Sequence, residues 1–375
     1  MVVEPESEGI DLDRAQGDRA QGDRVTGEGR PGATVPGSGT RRSNPAGRLA
    51  RRGFTDPEAA VRRLAEPALA QHSGDSVLID ALAATADPDL ALLGLARVAE
   101  ACADEDRRTL LDTLTTSKPL RDRLLGVLGA SAALGDHLAR HPHDWHALVT
   151  FEVRDIHPGP EEFLRTLYAH IWEDPAAGDR ADALRTGYRR CLLGIAARDL
   201  TGTTGIGQTA AELADLAGAT LQAALDIAKE EDRDAARACR LAVIAMGKCG
   251  GRELNYVSDV DVVFVAEPRD SAAFRDLAQA GQAVQAGHAA QAAQAAQAGN
   301  AGDPAASREP DPDADGRAVR AAARLAARMM RLCSDTTREG TIWPVDANLR
   351  PEGKNGPLVR TLGSHLAYYQ RWAKT

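Results

Sequence analysis

The chain has 375 residues, of which 45 are lysine or arginine and 54 are aspartate or glutamate, so its formal net charge is −9. This length is enough for two or three domains with a large core. The acidic balance argues against a general nucleic-acid-binding protein, which usually presents a basic face. No apolar stretch approaches the roughly 20 residues that a membrane-spanning helix needs.

The five cysteines are widely spaced and include no CxxC pair. We therefore expect neither a disulfide framework nor a zinc site, and a reducing cytoplasm fits this pattern best. The acidic, polar N-terminus does not resemble a signal peptide.

The first 50 residues are predicted to be a disordered tail. The sequence DRAQG occurs at 13–17 and again at 18–22, and large apolar residues are almost absent. Such a segment cannot bury enough apolar surface to offset the entropy lost on ordering.

Residues 54–235 are predicted to form an all-helical region. Thr55 or Asp56 before Pro57 is a typical helix start, because proline is tolerated at the first helical position and a short polar side chain caps it. Thr209 and Glu212 have the spacing of a capping box, which predicts that the last long helix starts at Thr209. Apolar spacing predicts further helical runs at about 76–101, 106–116, 118–129, 130–140, 160–173, 181–200 and 209–230. Asp87-Pro88 and Lys118-Pro119 are predicted breaks between helices.

Four histidines occur close together in this region, at positions 137, 141, 143 and 146. The first two lie near the end of a predicted helix that Pro142 terminates. This position favours a structural role for the histidines over a metal site.

The pattern changes at Arg240, and a second region, 236–375, is predicted. Two apolar runs, Leu241–Met246 and Val260–Val265, read as buried strands on either side of a glycine-rich turn. A stretch rich in alanine, glutamine and glycine at 279–316 lacks an apolar stripe and reads as a flexible insertion. A helix at 317–338, a strand–turn–strand at 341–359 and a last helix from 361 follow. The predicted fold class is therefore α+β, with a mostly helical region before a mixed sheet.

Two aspartates open the second strand of this region. Asp259 and Asp261 are two residues apart, so their side chains point to the same face of the strand. Carboxylates held this close repel each other unless a cation lies between them, and their oxygens suit Mg²⁺. Asp346 lies on a later apolar strand and is the candidate third carboxylate of a two-metal site for phosphoryl or nucleotidyl transfer.

Phosphate contacts are predicted from the residues around these carboxylates. The glycine turn lets backbone N–H groups approach a phosphate closely, and Ser258 adds a hydroxyl. The Arg350 guanidinium can bind two phosphate oxygens at once. The Lys354 ammonium can neutralise part of the phosphate charge. The candidate glycines are Gly247, Gly250 and Gly251.

Two long segments resemble a known family. AMGKCGGRELNYVSDVDVVFVAE at 245–267 and IWPVDANLRPEGKNGPLVRTLGSHLAYYQRWAKT at 342–375 resemble the glutamate–ammonia-ligase adenylyltransferases, which are also adenylyl-removing enzymes. The helical segments at 129–142 and 188–202 are similar to family segments as well. The resemblance covers roughly 54–375 apart from the insertion, and its Gly-x11-Asp-x-Asp pattern falls on Gly247, Asp259 and Asp261.

The resemblance implies a fold and an activity. The family is cytoplasmic, uses Mg²⁺, has polymerase-beta-like nucleotidyltransferase domains and modifies a tyrosine of glutamine synthetase. Its full-length members carry two such domains. The N-terminal one, which resembles this chain, removes AMP by phosphorolysis and releases ADP, while the C-terminal one adds AMP from ATP. Glutamine and the PII signalling protein are the expected effectors.

The sequence departs from the family pattern at its end. It stops at Thr375 inside a family block, so we expect a fragment without the second catalytic domain. Two alternatives to AMP removal stay open: a catalytically inactive regulatory or docking fragment, and a nucleotidyltransferase that acts on a small molecule or an RNA end. The acidic charge disfavours RNA.

Overall fold

The computed structural model describes residues 44–150, 157–173, 178–269 and 313–372. All of these residues belong to one compact unit that begins at Asn44. The predicted tail up to residue 43 and most of the predicted insertion, 279–312, lie outside the described residues.

The N-terminal half of the described chain is helical. Its helices are α1 (Pro45–Ala50), α2 (Pro57–Leu64), α3 (Ser76–Ala83), α4 (Pro88–Ala101), α5 (Asp104–Thr116), α6 (Lys118–Ala130), α7 (Ala132–Arg140), α8 (His146–Thr150), α9 (Pro160–Tyr168), α10 (Arg180–Leu200), α11 (Ile206–Glu231) and α12 (Arg233–Ala238). Some of them are connected by short 3₁₀ helices, at Ala70–His72 and Pro142–Trp145, or by a short π-helix at Ala169–Glu173.

The remaining elements form a small sheet with its covering helices. They are β1 (Cys239–Ala245), α13 (Gly247–Gly250), β2 (Val260–Pro268), α14 (Ala314–Ser334), β3 (Val345–Asp346), a 3₁₀ turn (Gly353–Asn355), β4 (Val359–Arg360) and α15 (Leu362–Trp372). The predicted α+β fold class is confirmed. The helix predicted at 317–338 begins and ends a few residues earlier.

Side-chain caps explain where several helices start. The Asp56 carboxylate accepts a hydrogen bond from Ala59 N (2.9 Å), and Pro57 occupies the first helical position, as predicted. Asp87 caps α4 in the same way, again before a proline. The break predicted at residues 87–88 is therefore confirmed.

Two predictions about helix starts are wrong. Residues 45–50, predicted as part of the disordered tail, form α1, because Asn44 caps it and Leu49 is buried among the other helices. The last long helix starts at Ile206, not at Thr209. Thr209 and Glu212 are buried inside α11, where Glu212 pairs with Arg198 of α10 instead of completing a capping box.

β2 is the central strand of the mixed sheet. It pairs with β1 antiparallel along one edge and with the two short strands β3 and β4, both parallel, along the other. Val260, Val262, Phe264 and Ala266 of β2 are buried, because α14 packs against this face of the sheet. One face of the sheet therefore packs against the helices, and the opposite face is more open.

Two apolar clusters form the core. One joins α1 to α8 with part of α10, and the other joins α9, α11, α14 and the sheet with the rest of α10. α10 contributes to both, so it links the helical region to the sheet. The domain boundary expected after residue 235 stays a prediction. Among the helices that the structure describes, none has the length and apolar character needed to cross a bilayer.

Two glycines of α6 provide a matched test of this packing. A Cβ added at Gly129 would lie 2.7 Å from Thr85 Cβ and 3.2 Å from the Asp87 carbonyl oxygen, whereas a Cβ at Gly126 would meet Leu200 Cβ at 3.8 Å. We expect Gly126→Ala to raise the free energy of unfolding by about 0.5–1 kcal/mol, because alanine favours a helix. Gly129→Ala should lower it by about 1–2 kcal/mol, because overpacking outweighs that gain.

Chemical denaturation of the two variants measures this difference. Equal stabilisation by both substitutions would show that the contact between α6 and the turn before α4 is looser than described.

Candidate active site

The pairing of β2 with β3 brings the predicted carboxylates together. Asp261 and Asp346 are directly paired across these parallel strands, and Val260 N donates a hydrogen bond to the Pro344 carbonyl oxygen (3.0 Å). Paired residues on neighbouring strands direct their side chains to the same face of the sheet. Asp346 therefore lies beside Asp261, as the sequence predicted. Asp259 precedes the strand by one residue.

The negative charges of Asp259 and Asp346 both act on the Asp261 carboxylate. The pKa of Asp261 is raised above the ordinary carboxyl range, first by partial burial and then by the negative charges of Asp259 and Asp346. The Lys248 ammonium opposes this shift. Three acidic groups that repel one another on one face form an all-oxygen donor set, which suits a hard dication.

The glycine turn lies directly against this carboxylate group. Gly247 has φ +52°, and a Cβ there would be 2.7 Å from the Asp261 Oδ2 atom. A Cβ at Gly250 would be 2.5 Å from the Ala245 carbonyl oxygen. Met246 N donates to the Asp261 carbonyl oxygen (2.8 Å), which holds the start of the turn beside β2. Glycine is thus required at Gly247 for both backbone and steric reasons.

The other predicted phosphate-binding residues lie near this turn or in the loop after β3. Gly251 is exposed and follows α13, and the Ser258 hydroxyl donates to the carbonyl oxygen of Asp259 (3.0 Å). Arg350 donates to the carbonyl oxygens of Ala347 (2.8 Å) and Gly356 (3.2 Å), so its guanidinium closes the loop after β3. Contact of these residues with phosphate stays a prediction.

Helix α10 anchors the segment that leads to Asp346, a role that the sequence analysis missed. Arg185, which is almost fully buried, donates to the carbonyl oxygens of Gly340 (2.8 Å) and Asp335. Arg189 donates to the Thr341 carbonyl oxygen (3.2 Å). These bonds hold the segment that leads into β3. The only sign of this role in the sequence was the presence of arginines within an apolar stripe of a helix.

The loop between α13 and β2 is also held by helices. Tyr256 donates its hydroxyl proton to the Asp199 carboxylate (2.9 Å), and Arg252 pairs with Asp215 (2.7 Å). Tyr256 therefore helps to shape this loop. Both contacts fix the polar stretch that precedes Asp259.

Two of the four clustered histidines have the structural role that the sequence predicted. His137 is fully buried and bonds the Asp144 carboxylate (2.8 Å), which also pairs with Arg190. His141 bonds Glu339 (3.0 Å) and so links α7 to the segment before β3. The remaining pair, His143 and His146, lies beside Asp106.

This arrangement defines a class of protein. A glycine turn, two aspartates at the start of a central strand and a third aspartate on the neighbouring parallel strand, set in an α+β fold, are consistent with a nucleotidyltransferase-like domain. Comparison with known families matches residues 121–290 and 303–375 to the family described as glutamate-ammonia ligase adenylyltransferase.

Individual relatives agree with this match. The chain is 60% identical over 336 residues to the bifunctional glutamine synthetase adenylyltransferase/adenylyl-removing enzyme of Streptomyces avermitilis, covering 89% of this chain and 29% of that protein. It is 39% identical to the relative of the same name from Mycobacterium avium (87% and 28%) and 37% identical to that of Cutibacterium acnes (89% and 30%). The chain therefore belongs to the glutamate-ammonia ligase adenylyltransferase family and spans less than a third of these relatives.

Gly247→Ala tests the contact between the turn and the carboxylates. We expect weaker Mn²⁺ or Mg²⁺ binding, because the new Cβ displaces the Asp261 carboxylate, and a stability loss of about 1–2 kcal/mol from the left-handed backbone. Gly251→Ala is the control, because that backbone has φ −80° and its Cβ meets only ordinary contacts. Calorimetric titration measures the metal affinity of both variants, and denaturant unfolding measures their stability. Unchanged metal affinity in Gly247→Ala would contradict the described contact.

Repulsion among the carboxylates predicts a pH dependence. Because the pKa of Asp261 is raised by folding, the folded chain binds more protons than the unfolded chain between the ordinary and the raised value. Without divalent cations, the contribution of Asp261 to stability should therefore fall as pH rises through that window, and the difference between wild type and Asp261→Asn isolates this contribution. Asp261→Asn should remove this fall and make the metal-free chain more stable at neutral pH.

Denaturant unfolding in EDTA from pH 3 to pH 8 measures this effect, with wild type and Asp261→Asn compared at each pH. If Asp261→Asn destabilises the metal-free chain equally at every pH, folding does not raise the pKa of Asp261 by burial and carboxylate repulsion as described.

Proposed function

We propose that this chain, as part of a bifunctional enzyme, removes AMP from a modified tyrosine of glutamine synthetase by phosphorolysis and releases ADP. The observation that supports this proposal most strongly is the placement of Asp259, Asp261 and Asp346 on one face beside the glycine turn. The names of the relatives support the substrate and the chemistry.

The donor set fits Mg²⁺. Asp259, Asp261 and Asp346 offer only carboxylate oxygens, and their mutual repulsion is relieved when a dication binds among them. Bound there, Mg²⁺ would neutralise phosphate charge and orient the attacking and leaving oxygens. The three aspartates would hold the ion, and the β2–β3 pairing keeps Asp261 and Asp346 side by side.

The other residues position the substrate. The N–H groups at the start of α13, from Gly247 to Cys249, are proposed to bind phosphate oxygens, because Gly250 N and Gly251 N donate to the carbonyl oxygens of Met246 and Gly247. The Ser258 hydroxyl joins them once it leaves the Asp259 carbonyl oxygen, and Arg350 keeps the loop after Asp346 closed. An oxygen of hydrogen phosphate attacks the phosphorus of the AMP group in line. The bond from phosphorus to the tyrosine oxygen breaks, the P–O–P bond of ADP forms, and the proton of hydrogen phosphate passes to the tyrosine. Positioning and charge neutralisation provide most of the catalysis, as in phosphoryl transfer generally.

AMP removal is preferred over AMP addition because the sequence resembles the N-terminal part of the family. The relatives are named for both activities, and the chain covers 28–30% of their length. In the family that the sequence resembles, the N-terminal nucleotidyltransferase domain is the adenylyl-removing one. Glutamine and the PII protein are proposed as effectors of the whole enzyme, with ATP as substrate of its other activity.

The direct test is ADP release from adenylylated glutamine synthetase supplied with phosphate and Mg²⁺. The double variant Asp259→Asn/Asp261→Asn should reduce the rate by on the order of a thousandfold, because it removes the charge that holds the metal. Asp234→Asn is the control, since that carboxylate is 94% exposed on α12 and remote in sequence from the site. Thermal unfolding verifies that all variants fold.

The outcomes separate the alternatives. Full activity of the double variant would refute the site. AMP incorporation from ATP by the wild-type chain, without ADP release, would assign it the opposite activity. If the chain binds glutamine synthetase without either reaction while the full-length Streptomyces avermitilis relative releases ADP, the chain is a docking fragment.

A further inference from the structure

A second group of possible metal ligands lies in the helical region, away from the carboxylates of β2 and β3 in sequence. Asp106 is in the first turn of α5, His143 is in the 3₁₀ turn Pro142–Trp145, and His146 begins α8. One donor atom from each of the three residues lies within 4.8 Å of the other two. The proposed reaction uses none of them.

Contacts already hold these side chains together. The Nε2 atom of His146 is 2.9 Å from the Asp106 Oδ1 atom, and the Nδ1 atom of His143 is 3.5 Å from Oδ2. The two imidazole rings are nearly parallel, with centroids 6.5 Å apart. Asp106 thus offers one oxygen toward each histidine.

The buried Trp145 orients two of the three residues. Its ring stacks on the His146 imidazole at a centroid distance of 3.8 Å, and its Nε1 atom donates to the Asp106 Oδ2 atom (3.4 Å). The Trp145 side chain is almost fully buried, so it forms a rigid support. Supporting contacts of this kind are typical of metal ligands, because they fix ring orientation before an ion binds.

The spacing of the donor atoms is suitable for one ion. Zinc binds histidine nitrogen and carboxylate oxygen at about 2.0–2.2 Å, which places neighbouring donors of a tetrahedral site roughly 3.4 Å apart. The distances from the histidine nitrogens to Asp106 oxygens, 2.9 Å for His146 and 3.5 Å for His143, lie on either side of this separation. Because these distances run to different oxygens of Asp106, the side chains must rotate to direct one oxygen and both nitrogens at one centre, and their donor atoms already lie within 4.8 Å of one another.

We propose that Asp106, His143 and His146 bind one transition-metal dication of the zinc class. Two imidazoles and one carboxylate favour zinc, cobalt or nickel over Mg²⁺ and Ca²⁺, which prefer oxygen ligands. The His143 side chain is 80% exposed and that of Asp106 is 15% exposed, so water has access to complete the coordination.

Bound metal would join two distant parts of the helical region. Asp106 and His146 are 40 residues apart, so the ion would cross-link the start of α5 to the start of α8. The positive end of the α5 dipole is unfavourable for a cation, but Asp104, Glu105 and Asp106 place three carboxylates in that first turn. The expected role is structural, with stabilisation that grows with metal concentration.

The test uses the purified chain, stripped with a chelator and then titrated with CoCl₂ and ZnCl₂ in excess Mg²⁺, which competes for the oxygen site. We expect one equivalent of Co²⁺ to bind with a visible ligand-field spectrum that Zn²⁺ displaces. His143→Ala and His146→Ala should each lower the affinity at least about tenfold, the loss typical even of supporting residues. His72→Ala, a histidine outside the group, should not change it.

Zinc should also raise the melting temperature of the wild-type chain and not that of His143→Ala. This variant is the safer one for folding, because its ring is largely in solvent. Wild-type Zn²⁺ affinity in both histidine variants would overturn the proposal. So would loss of the Zn²⁺ equivalent in Asp259→Asn/Asp261→Asn, since the ion would then occupy the carboxylate site.

Discussion

The parallel pairing of the two-residue strand β3 with the start of β2 is the contact on which the proposed active site depends. It sets Asp346 opposite Asp261 and extends the carboxylate group from two residues to three. A strand of two residues contributes little pairing energy by itself. The structure holds it by other means: Arg185 and Arg189 of α10 bond the carbonyl oxygens of the approach segment, and Arg350 closes the loop that follows.

In the metal-free fold, partial burial and the charges of Asp259 and Asp346 together disfavour ionisation of Asp261. Each aspartate raises the free energy of ionising Asp261, and Lys248 offsets only part of this effect. Such repulsion is typical of functional sites, where a ligand and not the fold compensates the charge. The Asp106–His143–His146 group differs in this respect, because it pairs one acid with two imidazoles and contains no repelling acids of its own.

Local patterns in the sequence were sufficient to predict the central features of the site. The two apolar runs and the aspartate spacing predicted β1, β2 and a shared carboxylate face, and the long motifs identified the family, which the comparisons confirm. Features that depend on tertiary contacts were not predictable. Thr209 and Glu212 match a capping box in sequence, yet Arg198 on a neighbouring helix draws Glu212 into the core. Likewise, the burial of Arg185 depends on carbonyl groups about 150 residues away along the chain.

Anomalous diffraction from crystals of the chain soaked in Mn²⁺ tests the central claim most directly, because Mn²⁺ takes the same oxygen ligands as Mg²⁺ and scatters anomalously. The account predicts anomalous density bounded by the carboxylates of Asp259, Asp261 and Asp346, next to the turn at Gly247. Density that involves only one of the three aspartates, or strong Mn²⁺ sites only elsewhere in the chain, would contradict it.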